Sequence, residues 1–303
     1  MVWIGLVCLF VALLGPTYVS GQEYLAQMRE LPALYSTRQE EIEAVCAKEN
    51  LYLIKSEAVL DEYCAAGLVE HVEPNQKAQL FGGQKYTACP NQWGLDAVQV
   101  QGMWRLGCYG AGTRIAVIDS GIYPHPDLAS KVAPGHNYTD GSDDTNDVLR
   151  HGTLVAGVIA ASGSAFQTTG AAPEAVLVPL KCFDSSRYGD LDDIIRAIYD
   201  AVDVYDCKVL NMSFGVGQRS AFLDRAVAYA LSEGAVAVAA VGNEGNADLQ
   251  YPAACDGVVG VGAVDRTKTA SAFSQKNESV FVTAPGEGIF TATNSGSAYA
   301  YGQ

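Results

Sequence analysis

From residue 93 onwards, short apolar runs rich in β-branched side chains alternate with longer segments that carry apolar residues at every third or fourth position. The short runs predict buried strands and the longer segments predict helices. Strands are predicted over residues 115–118, 175–182, 209–214, 235–241, 258–264 and 280–282, and helices over residues 151–162, 191–204 and 222–233. This alternation implies right-handed crossovers, and hence an α/β fold with a doubly wound, mainly parallel sheet and helices on both faces.

The segment before residue 83 has a different character, because it is charged and rich in glutamate. Its pattern predicts a helix over 38–48, a strand over 51–55, a helix over 57–66 and a strand over 68–72. A β-α-β unit of this size buries little apolar area by itself, so we expect it to be more stable when docked on something larger. The polar residues 84–92 are a plausible boundary. The pattern therefore predicts a small α+β domain over 22–85 and a main domain over 90–303.

Residues 2–14 are almost wholly apolar, which is the length of a signal-peptide core and too short for a membrane span. Small residues at Val19-Ser20-Gly21 offer a cleavage site, so residues 1–21 are predicted to be a signal peptide and the protein to be secreted. No Lys or Arg precedes Arg29, however, and an uncleaved anchor or a misplaced start codon remains an alternative.

The composition narrows the classes of partner. The 34 acidic residues exceed the 19 basic ones and give a net charge of −15, which disfavours nucleic acid and anionic membranes as partners. Eight cysteines suit an oxidising compartment, but none stands in a CxxC pair or a Cys/His cluster, so zinc is not expected. Five of them fall in the main domain, and their pairing is left open.

Three polar residues occupy positions where catalytic groups are often found. Asp119 ends the apolar run 115–118, and His151 opens a predicted helix 32 residues later. A carboxylate beside a histidine fixes its tautomer and stabilises the imidazolium formed during proton transfer. Asn243 stands between Gly242 and Glu244 at the end of a predicted strand, where its amide could donate to an oxyanion. The alternatives are a helix-capping Asp and a turn Asn.

Two further features are open to more than one interpretation. The strand that ends in Asn211-Met212-Ser213-Phe214-Gly215 has a backbone edge that could pair with an extended peptide. Before His151 lies an acidic loop that could bind calcium or simply be solvated. Its acids are Asp140, Asp143, Asp144 and Asp147.

Taken together, these blocks resemble the subtilisin-type serine proteases (subtilases). The resemblance rests on Asp119-Ser120-Gly121 with His125-Pro126-Asp127-Leu128, on His151-Gly152-Thr153 with Val155-Ala156-Gly157, on Asn211-Met212-Ser213-Phe214-Gly215 and on Gly242-Asn243-Glu244-Gly245. The blocks keep the family's order from about residue 92 to residue 303. Residues 51–75 are similar to the second half of a subtilase propeptide, which folds as a chaperone and inhibits its own enzyme.

The resemblance implies a role for each matching residue. Asp119 would orient the base, His151 would be the general acid and base, and Asn243 would donate to the oxyanion. Residues Ser213, Phe214 and Gly215 would form one side of the substrate cleft, and Gly189 the other. No cofactor is expected for catalysis, although Asp265 and Asp127 match positions near which some family members bind a structural calcium.

The sequence also departs from the family pattern. Arg150 and Leu154 flank the His-Gly-Thr block where the family usually has Gly and often has His. The nucleophilic serine of the family stands in a Gly-Thr-Ser motif that opens a long helix, and no Gly-Thr-Ser occurs in this sequence. Ser274, Ser295 and Ser297 lack that context. We therefore interpret the main domain as C-terminally incomplete, with an inactive homologue as the alternative.

The expected function is that of a secreted serine endopeptidase precursor that acts on peptide or protein substrates, with its own propeptide as an intramolecular inhibitor and with a monomeric state. The alternative from another class is a pseudoprotease that binds peptides without hydrolysing them. A metallohydrolase built on the acidic loop is disfavoured because the sequence lacks a suitable set of His or Cys ligands.

Overall fold

The computed structural model of the protein describes residues 24–29, 41–46, 51–74, 86, 88–163 and 168–302. These residues belong to two compact units, and the division between the units falls at Gly82 and Gly83. The predicted signal peptide lies outside the described residues. The predicted domain boundaries at 85 and 90 lie close to the division, whereas the inhibitory role of the first domain stays a prediction.

The smaller unit is a four-stranded antiparallel sheet with one helix. Its elements are β1 (Tyr24–Met28), β2 (Ile42–Cys46), β3 (Leu51–Ile54), α1 (Glu57–Ala65) and β4 (Val69–Pro74). The spatial order of the strands is β2-β3-β1-β4. Side chains from the sheet, including Met28, Ile42 and Tyr52, form a buried cluster with Val59 and Tyr63 of α1. The predictions of a strand at 51–55, a helix at 57–66 and a strand at 68–72 are confirmed.

The helix predicted over 38–48 is wrong, because Ile42–Cys46 forms strand β2 and pairs antiparallel with β3. Ile42 is buried, while Val45 lies on the surface. Partners from elsewhere in the chain therefore override the local helix preference of the glutamate-rich segment. Strand β1 was not predicted, and it lies between β3 and β4 in the sheet.

The larger unit is organised around a seven-stranded sheet in which every pairing is parallel. Its strands are β5 (Arg114–Asp119), β6 (His136–Asn137), β7 (Val176–Lys181), β8 (Val209–Met212), β9 (Val236–Ala240), β10 (Val259–Val264) and β11 (Val282–Pro285). The spatial order is β11-β10-β9-β8-β5-β7-β6. The strand predicted over 280–282 begins later than expected, and the other strand predictions in this unit are confirmed to within two residues.

Helices cover both faces of this sheet, as predicted. They are α2 (Trp93–Ala97), α3 (Val100–Arg105), α4 (His151–Ala160), α5 (Leu191–Asp203) and α6 (Ala221–Ser232), and an antiparallel ribbon of β12 (Ile289–Ala292) and β13 (Tyr299–Gly302) follows. Alternate residues of β5 serve the two faces: Ala116 and Ile118 belong to the buried cluster with α5 and α6, whereas Ile115 and Val117 belong to the cluster with α4. The short helices α2 and α3, strand β6 and the ribbon were not predicted.

The order of the strands creates a crevice beside β5. The chain leaves β5 towards β7 on one side and later returns to β8 on the other side. In the register of the sheet, Ile118 of β5 lies opposite Met212 of β8, so the carboxyl ends of these strands meet at one edge. Ligands of open α/β sheets bind at such a switch point.

Within the described ranges, no helix reaches the length and apolar character that crossing a membrane requires.

Candidate active site

Asp119 and His151, the two residues predicted to form a catalytic pair, are hydrogen-bonded. Asp119 is the last residue of β5 and its side chain is almost fully buried, while His151 is the first residue of α4 and its side chain is about half exposed. The distance from His151 Nδ1 to Asp119 Oδ1 is 2.7 Å. Since an ionised carboxylate only accepts hydrogen bonds, Nδ1 carries the proton and Nε2 is the basic nitrogen of the neutral ring.

The surroundings of the imidazole favour its protonated form. The hydrogen bond with Asp119 raises the pKa of His151 above its ordinary value of 6.5, and partial burial opposes this rise. The negative charges of Asp119 and Asp147 raise the pKa further, whereas the positive charge of Arg187 lowers it. On balance the pKa of His151 is raised, so the ring accepts a proton more readily than a free histidine does, which suits a general base.

A close approach of two chain segments sets the geometry of the pair. A Cβ atom added at Gly152 would lie 2.1 Å from the carbonyl oxygen of Gly121 and 3.2 Å from the Asp119 Cβ. Gly152 follows His151 directly, so the absence of a side chain there lets the first turn of α4 lie against the end of β5. This packing places the imidazole within hydrogen-bonding distance of the carboxylate.

Asn243 follows β9 at the same edge of the sheet. Its side chain is exposed, and its backbone N–H donates to the Glu244 carboxylate over 3.2 Å. The preceding Gly242 has a φ of 110°, which turns the chain sharply after the strand. Asn243 and His151 line the same mainly apolar cavity, which has a volume of about 380 Å³. The structure therefore brings the predicted oxyanion donor and the predicted base to one cavity.

The predicted cleft residues are only partly gathered at this cavity. Ser213 lines it, and its hydroxyl accepts a hydrogen bond of 2.9 Å from the Asn211 amide. Phe214, Gly215 and Gly189 are not among the residues that line it. The ring of Phe214 contacts that of Phe183 at a centroid distance of 5.3 Å, and Gly189 lies against Phe183 and the Cys182 carbonyl. The two predicted sides of the cleft are thus linked through one aromatic pair.

The two aspartates predicted near calcium sites have protein partners. Asp265 Oδ1 accepts hydrogen bonds from the backbone N–H groups of Thr267 and Thr269 and from the Thr267 hydroxyl, which lowers the pKa of Asp265. The Asp127 carboxylate is buried and accepts the hydroxyl groups of Tyr299 at 2.6 Å and Ser162 at 3.3 Å.

Among the described residues, no group of three or more His, Cys, Asp or Glu side chains is arranged to hold a metal ion. Calcium prefers six to eight oxygen ligands. Both carboxylate oxygens of Asp127 and Oδ1 of Asp265 already accept N–H or O–H groups of the protein. Asp265 thus accepts the donors of an ordinary hydrogen-bonded turn, and Asp127 makes a buried polar contact with two hydroxyl groups. Calcium at Asp265 or Asp127 stays a prediction.

All six cysteines whose side chains are described are free thiols: Cys64, Cys89, Cys108, Cys182, Cys207 and Cys255. Cys182, Cys207 and Cys255 are buried, and burial raises the pKa of each thiol, to about 12 for Cys207 and Cys255. The side chains of Cys8 and Cys46 lie outside the description. The described thiols therefore form no disulfide with one another.

Asp147 and Ser120 belong to the site, although the sequence suggested a role for Asp147 only as one acid of the loop before His151 and none for Ser120. The residues of the acidic loop differ in burial, because Asp147 is buried whereas Asp140, Asp143 and Asp144 are exposed. A signal was available in the sequence: an Asp shortly before a helix start is typical of a residue that caps the helix with its carboxylate. Ser120 stands beside Asp119 in the chain, but its hydrogen bonds depend on how β5 and α4 pack.

Comparison with known proteins shows the family to which this chain belongs. The model of the family described as "Peptidase_S8: Subtilase family" matches residues 110–303. The chain belongs to the subtilase family. It is 36% identical over 248 residues to a thermophilic serine proteinase of Bacillus sp. (strain AK1), and the match covers 81% of the chain and 61% of that protein.

Other relatives agree with this assignment. The chain is 38% identical over 212 residues to the minor extracellular protease Epr of Bacillus subtilis (strain 168), covering 70% of the chain and 32% of that protein. It is 36% identical over 208 residues to subtilisin Savinase of Lederbergia lenta, covering 69% of the chain and 76% of that protein. The chain thus spans 61% and 32% of the lengths of the first two relatives.

The fold agrees with solved structures of two proteases. The crystal structure of a cold-adapted subtilisin-like serine proteinase aligns with a TM-score of 0.58 at 30% identity, covering 64% of the chain and 70% of that structure. A protease of Pseudoalteromonas arctica PAMC 21717 aligns with the same TM-score at 28% identity, covering 64% of the chain and 73% of that structure. The predicted subtilisin-like α/β fold is confirmed.

Proposed function

We propose that this chain carries most of the catalytic machinery of a secreted serine endopeptidase, which hydrolyses peptide bonds through an Asp-His-Ser triad. The observation that carries the proposal is the 2.7 Å hydrogen bond between His151 Nδ1 and Asp119 Oδ1, in a chain of the subtilase family. A carboxylate that fixes the tautomer of a half-exposed histidine is the arrangement that activates a serine nucleophile.

Each residue has a proposed step. His151 would take the proton of the attacking serine hydroxyl at Nε2 and return it to the leaving amine. Asp119 would hold the ring and stabilise the imidazolium while it exists. Asn243, which lines the same cavity as His151, would donate a hydrogen bond to the oxyanion of the tetrahedral intermediate.

We propose that the nucleophile stands on a segment that the present sequence does not contain, because no Gly-Thr-Ser motif occurs in the 303 residues. The proposed substrates are peptides or proteins that bind beside Ser213-Phe214-Gly215, with Gly189 on the opposite side. Support for this placement comes from the Phe183–Phe214 ring contact and from Ser213 in the cavity lining.

The smaller unit is proposed to be a propeptide that inhibits its own enzyme, and the apolar residues 2–14 to be part of a signal for secretion. The four-stranded fold with one helix and the sequence similarity of residues 51–75 support the first proposal. The extracellular name of one relative supports the second. We propose that the enzyme acts as a monomer.

A second candidate function is peptide binding without hydrolysis, and the missing Gly-Thr-Ser motif is the specific observation in its favour. The coding sequence after codon 303 distinguishes the two candidates. An in-frame Gly-Thr-Ser whose product hydrolyses a chromogenic peptide supports the protease. A continuing chain without that motif, or a product that binds peptide substrates but never cleaves them, supports the alternative.

A further inference from the structure

A second buried carboxylate, that of Asp147, contacts the residues next to the Asp119–His151 pair and has no part in the chemistry proposed so far. Asp147 stands four residues before His151 and is 1% exposed. Its Oδ1 accepts hydrogen bonds from the backbone N–H groups of Leu149 at 2.9 Å and Arg150 at 2.8 Å. A buried carboxylate with several donors is held in one orientation.

The other oxygen of this carboxylate caps helix α4. Asp147 Oδ2 accepts the backbone N–H of Thr153 at 2.9 Å and also the Thr153 hydroxyl. Thr153 is the third residue of α4, so its N–H has no acceptor within the helix. Arg150, the residue that immediately precedes the helix, gives no side-chain cap. Asp147 therefore fixes the first turn of α4, where His151 is the first residue.

Ser120 connects Asp147 to the other member of the pair. The Ser120 hydroxyl is 2.9 Å from Asp147 Oδ1 and 3.3 Å from Asp119 Oδ1, so its single proton is assigned to the shorter contact. The same oxygen accepts the backbone N–H of Gly152 at 3.0 Å. The Ser120 backbone N–H donates to Asp119 Oδ1 at 2.7 Å. One serine thus ties the end of β5 to the start of α4.

We propose that Asp147 is a positioning residue, which holds the Asp119 carboxylate and the His151 imidazole in hydrogen-bonding geometry through Ser120 and the first turn of α4. The inference rests on the proposed roles of Asp119 and His151. Asp147 also has an electrostatic role. The positive N-terminus of helix α4 disfavours the imidazolium form of His151, and the carboxylate of Asp147 at that end offsets this effect. The charged groups that act on His151 are Asp119, Asp147 and Arg187.

The test is the titration of His151 in the 303-residue chain by NMR, which needs no turnover. The chain has four histidines, and the H151Q variant identifies the signal of His151. In D147N, which keeps the shape but removes the charge, the pKa of His151 should fall by about 0.2–0.7. The Nδ1–H signal of His151 should be lost to exchange with solvent.

The matched control is D144N, which makes the same change of charge at an exposed position of the same loop. D144N should leave both the pKa and the Nδ1–H signal of His151 unchanged. A folded D147N whose His151 titrates like that of the unsubstituted chain, with its Nδ1–H signal retained, overturns the inference. A general loss of stability in D147N would not by itself lower the pKa of His151 in the folded chain.

If D147N does not fold, S120A decides the question. This variant keeps the cap on Thr153 and removes the hydroxyl that donates to Asp147 Oδ1 and accepts the backbone N–H of Gly152. Loss of the His151 Nδ1–H signal in folded S120A supports the inference, and an unchanged signal overturns it. Because neither readout depends on hydrolysis, a chain that proves to be a non-hydrolysing homologue still gives a valid result.

Discussion

At the scale of single residues, the charge and the hydrogen bond of Asp119 determine the acidity of His151. The pKa of His151 is raised above its ordinary value of 6.5 in the folded chain, chiefly by the hydrogen bond to Asp119. A raised pKa means that the group stabilises the fold fully below the pKa of the unfolded chain, and that this contribution is lost as the pH rises through the folded pKa. The pair should therefore stabilise the larger unit more in weakly acidic than in alkaline solution.

We expect Asp119→Asn to lower the melting temperature of the larger unit, with a greater decrease at about pH 6 than at about pH 9. At the lower pH the substitution removes an ion pair, whereas at the higher pH it removes only a hydrogen bond to a neutral ring. Thermal unfolding across this pH range measures the difference. In the His151→Gln background the effect of Asp119→Asn should no longer depend on pH in this range. A decrease that grows towards pH 9 would contradict the account.

Arg187 acts on His151 in the opposite direction. It is exposed and stands in a loop near the imidazole with a φ of 70°, and its positive charge lowers the pKa of His151. Arg187→Ser should therefore raise the pKa of His151, as measured by NMR titration. Arg225→Ser, at an exposed position of α6, is the matched control and should have no effect. An unchanged or lowered pKa in Arg187→Ser would show that the loop does not approach the imidazole.

At the scale of elements, the contact between β5 and the first turn of α4 carries the site. Gly152→Ala places a methyl group 2.1 Å from the Gly121 carbonyl oxygen, so α4 must move away from β5. We expect a loss of about 1–3 kcal/mol from overpacking, partly offset by the better helix propensity of Ala. Urea denaturation followed by tryptophan fluorescence reports this loss, because Trp93 and Trp104 lie in the larger unit.

Gly102→Ala is the control for Gly152→Ala. Gly102 lies in helix α3 with no atom within 4 Å of an added Cβ, so the same change should stabilise the chain by about 0.5–1 kcal/mol. In Gly152→Ala the pKa of His151 should also fall towards its ordinary value, since the hydrogen bond to Asp119 lengthens. Equal effects of the two substitutions would argue against a close contact between β5 and α4.

The elements of the larger unit were predictable where burial alone determines them. The strands β5, β7, β8, β9 and β10 are short, apolar and buried, and helix α5 has an apolar face over Ile194, Ala197 and Ile198. Strand β2 was mistaken for a helix because its glutamate-rich sequence favours helix until β3 supplies a pairing edge. The ribbon of β12 and β13 was missed although its partners are close in sequence, with Ala292 opposite Tyr299 and Ile289 opposite Gly302. Its two strands are only four residues long and carry no run of β-branched apolar residues.

The site was predictable to a similar extent. Asp119 ends a strand, His151 begins a helix and Asn243 follows a strand closely, and the parallel sheet brings such positions to one edge. The hydrogen bonds of Ser120 and Asp147 were not predictable, since they need the distance between β5 and α4. Gly189 was placed opposite Ser213 by resemblance alone, and the structure links the two regions only through Phe183 and Phe214.

At the scale of the whole molecule, the described cysteines range from exposed to buried, with Cys89 and Cys108 in between. Cys64 is exposed, whereas Cys182, Cys207 and Cys255 are buried with raised pKa values. Iodoacetamide reacts with the thiolate, so in the folded chain at about pH 8 it should modify Cys64 long before the three buried thiols. Peptide mapping by mass spectrometry measures this order. Denaturant should remove the difference, and rapid alkylation of Cys207 in the folded chain would contradict the described core.

We propose that Asp119 and His151 activate a serine outside these 303 residues, and labelling by a fluorophosphonate tests this proposal most directly. The measurement compares the 303-residue chain, the product of the gene extended past codon 303, and that product with His151→Ala. The account predicts no label on the first, one label on a serine after Gln303 in the second, and a loss of labelling in the third. A label on any serine within residues 1–303, or labelling of the extended product that does not depend on His151, would contradict it.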